Sequence, residues 1–161
     1  MCTTLRKDRI LPMHLADLAV ASPDLTPLAR IPDRYTVDGG NDVPRIHVSG
    51  VPEVTVELAL IMHDPDAPRP EGFTHWVVYG LPAVEGEIDL DARGVRLGPN
   101  SRGESAYMGP RPPHGHGEHH YYFWVYALDT AVEGTPTREE FITRYGASVL
   151  EQNRLVGTFS R

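Results

Sequence analysis

The sequence contains little cysteine and no long basic run. Cys2 is the only cysteine among the 161 residues, which excludes both a disulfide within the chain and a cysteine-based zinc site. The formal net charge is −7, and no basic run is longer than the pair Arg6 and Lys7. Nucleic-acid binding needs a basic face that displaces counterions from phosphates, so we expect no nucleic-acid partner.

Long apolar stretches are also missing. No segment is long and apolar enough to span a membrane, and residues 1–14 lack the apolar part of a secretory signal peptide. We therefore predict a cytoplasmic protein without integral membrane association. Because the acidic chain repels anionic surfaces at long range, any anion that it binds must be captured by local groups.

Glycine and proline are abundant, at 15 residues each, which indicates many turns and few long helices. Three segments have the β-branched and aromatic composition of buried strands: residues 54–63, 75–81 and 121–128. Shorter strands are predicted at residues 35–37, 45–48 and 155–159. We predict one all-β-dominated domain over residues 1–161, in which residues 1–30 form an extended arm.

Two finer predictions concern side-chain direction. At the start of the 54–63 strand, Thr55 and Glu57 should face one way and Val54, Val56 and Leu58 the other, before the strand becomes apolar on both faces. One helix should follow the capping box that Thr137 and Glu140 form. Its apolar face would carry Phe141, Ile142, Tyr145, Val149 and Leu150.

Two aspartates follow the 54–63 strand, in the segment Asp64-Pro-Asp-Ala-Pro68. The prolines fix the backbone and donate no hydrogen bond, so the segment is stiff and cannot be helical. Either carboxylate could instead close an Asx turn by accepting from a nearby backbone N–H. Two carboxylates on a rigid rim at the end of a buried strand nevertheless favour a binding site.

His75 and Trp76 begin the next predicted strand. A lone histidine beside apolar residues is more often a core residue with an internal hydrogen bond than a ligand-binding residue. His75 becomes a candidate for the site only if its strand lies beside the first one, with its start near the Asp64 rim.

A cluster of histidines ends the long irregular stretch predicted over residues 82–118. Its members are His114, His116, His119 and His120. Four histidines in seven residues allow a metal site that includes Glu118, and their spacing is similar to that of the cupin metal motif. A cupin metal site also needs a second, distant motif, which is missing here. We therefore predict no metal and no cofactor. His119 and Tyr121 lie two residues apart at the start of a strand and so share a face, whereas the other three histidines are predicted to lie at the rim or in solvent.

Four segments follow one another along the chain: Asp64-Pro-Asp-Ala-Pro68, His75-Trp-Val-Val78, Gly109-Pro-x-Pro-Pro113 and Gly117-x-His119-x-Tyr121. In this order and at these spacings they resemble the phosphatidylethanolamine-binding protein family, which includes Raf kinase inhibitor protein and its bacterial relatives. Two further segments resemble the bacterial branch: Ile31-Pro-x-Arg-Tyr-Thr-x-Asp-Gly39 and Leu155-x-Gly-Thr158.

The resemblance implies a Greek-key β-sandwich of two sheets with one or two short helices and a small pocket at one end. In the family this pocket takes phosphate, phosphoethanolamine, acetate and similar small anions. Carried over residue by residue, the ligand-binding set is Asp64, His75, Arg111, Pro112, His119 and Tyr121. The supporting set is Asp66, Pro68 and Trp76.

The chain departs from the family over Val43-Pro-Arg-Ile-His-Val48, where a proline and a tryptophan are replaced. Kinase inhibition and whole-lipid binding transfer poorly to this chain from the resemblance, and a homodimer is compatible with it. We expect a small-anion-binding protein with a regulatory or scavenging role. The alternatives are an acid–base hydrolase of small esters or phosphoesters that uses Asp64, His75 and His119, and a histidine-ligated metalloprotein. The sequence lacks an evident nucleophile, a GxSxG elbow and a P-loop, which favours a protein without catalytic activity.

Overall fold

The computed structural model describes residues 17–161, in which two antiparallel sheets form a sandwich. The strands are β1 (Ala19–Ala21), β2 (His47–Ser49), β3 (Glu57–Asp64), β4 (Phe73–Leu81), β5 (Gly86–Glu87), β6 (Arg96–Leu97), β7 (His119–Leu128) and β8 (Val149–Phe159). The larger sheet has the order β6-β4-β3-β7-β8 and the smaller one the order β1-β2-β5. One α-helix, α1 (Arg138–Tyr145), and two single-turn 3-10 helices complete the structure. The predicted fold class is confirmed.

The larger sheet has a hydrophobic cluster on each face. On one face, Leu60 and Phe123 belong to the cluster that also contains Val48 of the smaller sheet. On the other face, Ile61 and Val77 belong to a cluster with residues of α1. All eight residues of β3 are buried, as expected for a strand covered on both sides.

The predicted helix start is confirmed. The Thr137 hydroxyl accepts a hydrogen bond from the backbone N–H of Glu140, at 3.2 Å. Phe141 and Tyr145 are buried against the sheet, but Ile142 is exposed. Val149 and Leu150, which the sequence placed on the helix, belong to β8 instead.

The strand predicted over residues 35–37 is wrong. The chain forms a 3-10 turn over Asp33–Tyr35, because the backbone N–H and the hydroxyl of Thr36 both donate to the Asp33 carbonyl, at 3.0 and 2.6 Å. Local closure of this kind uses the Thr36 donors that a strand would offer to a sheet partner. The 82–118 stretch is irregular as predicted, apart from the short strands β5 and β6.

The predicted alternation at the start of the 54–63 strand is also wrong. Val54 and Val56 are exposed and the strand begins only at Glu57, which is buried. The Glu57 carboxylate accepts from the backbone N–H groups of Gly80 and Val132, at 2.8 and 2.9 Å. These bonds satisfy a charged group that a period-two pattern assigns to solvent.

Within the described part of the predicted arm, residues 19–21 form β1 and pair with β2, and the end of the arm lies along the edge of β8. The N–H groups of Leu28 and Ile31 donate to the carbonyls of Val156 and Thr158, each at 2.7 Å, and Arg30 pairs with Thr158 in parallel. The arm therefore covers hydrogen-bonding groups that an edge strand would otherwise expose. Residues 1–16 of the predicted arm lie outside the described residues. None of the helices in residues 17–161 has the length and apolar character needed to cross a membrane.

Candidate functional site

A cavity of about 180 Å³ opens where the end of β3, the start of β7 and the segment around residues 108–113 meet. All six residues of the predicted ligand-binding set line it, together with Pro68 of the supporting set. Sequence reasoning missed five further lining residues: Ala67, Arg69, Phe73, Met108 and Pro113. In the sequence, only their positions within or near the quoted motifs indicate that these five residues belong to the cavity.

A β-bulge brings His75 into the cavity. Trp76 pairs with Met62, and Thr74 pairs with the next residue of β3, His63, so His75 is an extra residue without a partner on β3. An extra residue bends a strand and redirects its side chains. His75 consequently faces the cavity, while the hydroxyl of Thr74 bonds His63 at 3.0 Å on the opposite side of the sheet.

The hydrogen bond of His75 defines which ring nitrogen carries its proton. Nδ1 lies 2.8 Å from the Met108 carbonyl, which can only accept, so Nδ1 donates. Burial lowers the pKa of His75 to about 4, so the ring is neutral at neutral pH. In that form Nε2 holds a lone pair and offers the cavity an acceptor.

A chain of three hydrogen-bonded side chains runs from the cavity wall to the surface. Asp64 Oδ2 lies 2.6 Å from His119 Nδ1, and His119 Nε2 lies 2.7 Å from His116 Nδ1. Asp64 and His119 are almost fully buried, at 2 % and 1 % exposure, whereas His116 is exposed. Burial raises the pKa of Asp64, and the hydrogen bond from His119 opposes that rise. The sequence placed His116 at the rim or in solvent and did not predict its contact with His119.

The two aspartates have different tasks. Asp64 Oδ1 accepts from the backbone N–H of Asp66 at 2.8 Å, so the Asx turn considered above forms while Oδ2 remains available to His119. Asp66 Oδ2 accepts from the backbone N–H of His120 at 2.8 Å and bonds the Nδ1 of its ring at 2.7 Å. Asp66 thus ties the turn after β3 to the start of β7, which supports the site from outside the cavity.

Tyr121 presents a buried hydroxyl to the site. Its side chain is fully buried, its ring lies edge-on to His75 with 5.2 Å between centroids, and it lines the cavity. The hydroxyl has no hydrogen-bonding partner among residues 17–161. Burial raises the pKa of Tyr121, so the hydroxyl keeps its proton and is a donor.

Two arginines contribute to the cavity wall. Arg69 stacks on Phe73, with its guanidinium 5.6 Å from the ring centroid. Arg111 lies 3.5 Å from Asp38, and its side chain is half exposed. These cations place positive potential beside the cavity, where it partly offsets Asp64.

Trp76 does not line this cavity. It lines a separate space of about 300 Å³ that is rimmed by Glu87, Asp89 and Asp91, and its ring lies edge-on to that of Tyr107. Trp76 packs in the core cluster beside Tyr107, and its supporting role stays a prediction.

The histidine cluster is divided by the structure. His119 lies in the cavity wall, His116 contacts it, His120 bonds Asp66 and His114 is exposed. Over the described part of the chain, no group of three or more His, Cys, Asp or Glu side chains could hold a metal ion.

Comparison with known proteins gives the family. The phosphatidylethanolamine-binding protein family model matches residues 21–160. A UPF0098 protein of Aquifex aeolicus (strain VF5) is 39 % identical over 140 residues, covering 81 % of each chain, and one of Pyrococcus abyssi is 37 % identical over 142 residues, covering 81 % of this chain and 79 % of the relative.

Solved structures agree with that match. Escherichia coli YbcL, described as a member of the mammalian PEBP family, superposes with a TM-score of 0.83 at 27 % identity, covering 91 % of this chain and 99 % of YbcL. A phosphatidylethanolamine-binding protein homologue of Chlamydia trachomatis, CT736, gives 0.81 at 30 % identity with the same coverage. The chain belongs to the phosphatidylethanolamine-binding protein family.

Proposed function

We propose that the protein binds small phosphate-bearing anions in the cavity between Asp64 and Tyr121, in a regulatory or scavenging role. The observation that carries the proposal is the buried hydroxyl of Tyr121, a residue that lines the cavity, because this hydroxyl has no partner among the described residues. A buried donor without a partner costs about 1–3 kcal/mol, and a bound anion would recover that cost. Cytoplasmic location and a homodimer stay predictions.

The donors and acceptors of the cavity select the protonation state of the ligand. Tyr121 offers an O–H, whereas neutral His75 offers only the lone pair of Nε2. Since a phosphoryl group without a proton has no hydrogen to give His75, the best match keeps at least one P–OH, as HPO4²⁻ and the monoanion of a phosphate monoester do. In phosphoethanolamine the ammonium group could in addition pair with Asp64.

Cavity size supports a head group rather than a whole lipid. A volume of about 180 Å³ lies below the roughly 300–1,000 Å³ of pockets that hold drug-sized ligands. Pro68, Phe73 and Pro112 give the walls an apolar character that would desolvate the anion and strengthen its hydrogen bonds.

Titration calorimetry with inorganic phosphate, O-phosphoethanolamine and acetate tests the proposal. We expect the two phosphate compounds to bind the wild type, and Tyr121→Phe to weaken their binding about tenfold because one hydrogen bond to a charged ligand is lost.

Tyr107→Phe is the matched control, because Tyr107 is also buried but its hydroxyl donates to the Tyr35 carbonyl at 2.7 Å. It should bind phosphate as the wild type does. Wild-type protein that binds neither phosphate compound at millimolar concentration would refute the proposal.

One observation favours a second candidate function, hydrolysis of small esters or phosphoesters. A buried carboxylate 2.6 Å from a histidine ring nitrogen, as in Asp64 and His119, is an arrangement that can support a general base. Turnover of p-nitrophenyl acetate or p-nitrophenyl phosphate that disappears in Asp64→Asn would support it. A wild-type rate equal to that of buffer would rule it out for these substrates.

A further inference from the structure

We propose that His116 is a gate residue. Its imidazole bonds Nε2 of His119, the one ring nitrogen that Asp64 leaves free, and it is displaced when an anion binds. The inference rests on the proposed anion-binding function and adds a way to regulate the same cavity. It begins from the 2.7 Å contact between His116 Nδ1 and His119 Nε2.

The two nitrogens of His119 are both engaged in this structure. Nδ1 is bonded to the buried Asp64 carboxylate at 2.6 Å, and a carboxylate accepts, so Nδ1 carries a proton. Nε2 is therefore the only position through which His119 can bind a ligand in the cavity. Because His116 holds that position, a ligand that bonds His119 must replace His116.

The bond with His116 also limits what can replace it. When His119 is neutral, Nε2 is an acceptor and His116 Nδ1 donates to it. A replacement must likewise donate, which a P–OH group can do. The gate and the acceptor nitrogen of His75 thus favour the same ligand class, a monoprotonated phosphate or phosphate monoester.

His116 is placed so that it can leave. It is exposed and stands between Gly115 and Gly117, whose φ values are 71° and 89°. A Cβ atom added at either glycine would meet nothing within 4 Å, so no close packing requires glycine there. Glycine adopts these positive φ angles at little cost, so the open segment leaves room around the His116 side chain.

The rest of the segment is anchored, which confines the motion to the gate. The backbone N–H of Gly115 donates to the Arg161 carbonyl at 3.0 Å, and the Arg161 guanidinium donates to the Pro112 carbonyl at 2.6 Å. Beyond the gate, His120 is bonded to Asp66. The backbone N–H of His116 also donates, to the Pro113 carbonyl at 3.3 Å, so the movement required is a rotation of the His116 side chain away from His119.

Phosphate titration of His116→Ala tests the inference, with His114→Ala as the matched control on the same segment. A net hydrogen bond between two neutral groups shifts an equilibrium by about fivefold, so His116→Ala should bind inorganic phosphate about fivefold more tightly than the wild type. His114→Ala should match the wild type. In the wild type, the ring ¹⁵N signal of His116 Nδ1 should shift as phosphate saturates the protein.

The possible results separate the two proposals. Equal or weaker phosphate binding by His116→Ala, or a His116 ring signal that phosphate does not move, overturns the gate while leaving anion binding intact. Failure of both the wild type and His116→Ala to bind phosphate overturns the proposed function, and the gate with it.

Discussion

Replacing Tyr121 by phenylalanine should stabilise the ligand-free protein and weaken its response to phosphate. The substitution removes a hydroxyl that is buried without a partner among residues 17–161 and leaves the ring unchanged. An unsatisfied buried hydroxyl costs about 1–3 kcal/mol, so the free energy of unfolding should rise by about 1 kcal/mol or more. In a domain of this size that corresponds to an increase in Tm of about 3 °C.

Tyr107→Phe sets the scale for this comparison. The Tyr107 hydroxyl donates to the Tyr35 carbonyl at 2.7 Å, so its removal leaves a buried acceptor without its donor. We expect the free energy of unfolding to fall by about 1–3 kcal/mol in this variant. Two tyrosines of similar burial should therefore respond to the same change with opposite signs.

Urea unfolding with and without phosphate measures both effects. At a phosphate concentration 100 times the dissociation constant, a ligand that binds only the folded state adds about 2.7 kcal/mol. The wild type should gain this amount, and Tyr121→Phe clearly less at the same concentration. Loss of stability in Tyr121→Phe as large as in Tyr107→Phe would refute the assignment of the Tyr121 hydroxyl to ligand binding.

Two further predictions concern stability. Burial lowers the pKa of both His63 and His75 to about 4, so the unfolded state binds more protons between that pH and its own value of about 6.5. The free energy of unfolding should therefore fall as the pH is lowered through this window, by about 3 kcal/mol for His75 and by less for His63, which is less deeply enclosed. Urea titrations at pH 7 and 4.5 should show a smaller fall in His75→Gln than in His114→Gln; equal falls would contradict the assignment. Glu57→Gln should lower the free energy of unfolding by about 1–3 kcal/mol, because an amide cannot accept from both N–H groups as well as a carboxylate does. The control Glu53→Gln, at an exposed position, should change it little. An unchanged free energy of unfolding in Glu57→Gln would contradict this account of the buried carboxylate.

The sequence predicts the strands that composition can identify. Residues 54–63, 75–81 and 121–128 are apolar and rich in β-branched and aromatic side chains, and they form the three central strands of the larger sheet. The capping box at Thr137 is a local interaction between near neighbours and is predicted for that reason. Buried Glu57 is different, because its partners Gly80 and Val132 are distant in sequence.

The residues of the site differ in the same way, since some can be predicted from the sequence and others depend on contacts between distant segments. The family resemblance supplies Asp64, His75, His119 and Tyr121, and the structure brings them to one cavity. Strand periodicity alone would turn His75 to the other face, because the bulge that redirects it depends on how β3 and β4 align. The contact of His116 depends likewise on the path of a glycine-rich segment, which no periodicity describes.

A crystal structure of the protein grown with O-phosphoethanolamine tests the central claim most directly. The account predicts the phosphoryl group in the cavity, within hydrogen-bonding distance of Tyr121 Oη and His75 Nε2, and the His116 ring moved away from His119. An empty cavity at saturating ligand, or a phosphoryl group bound elsewhere on the surface, would contradict it.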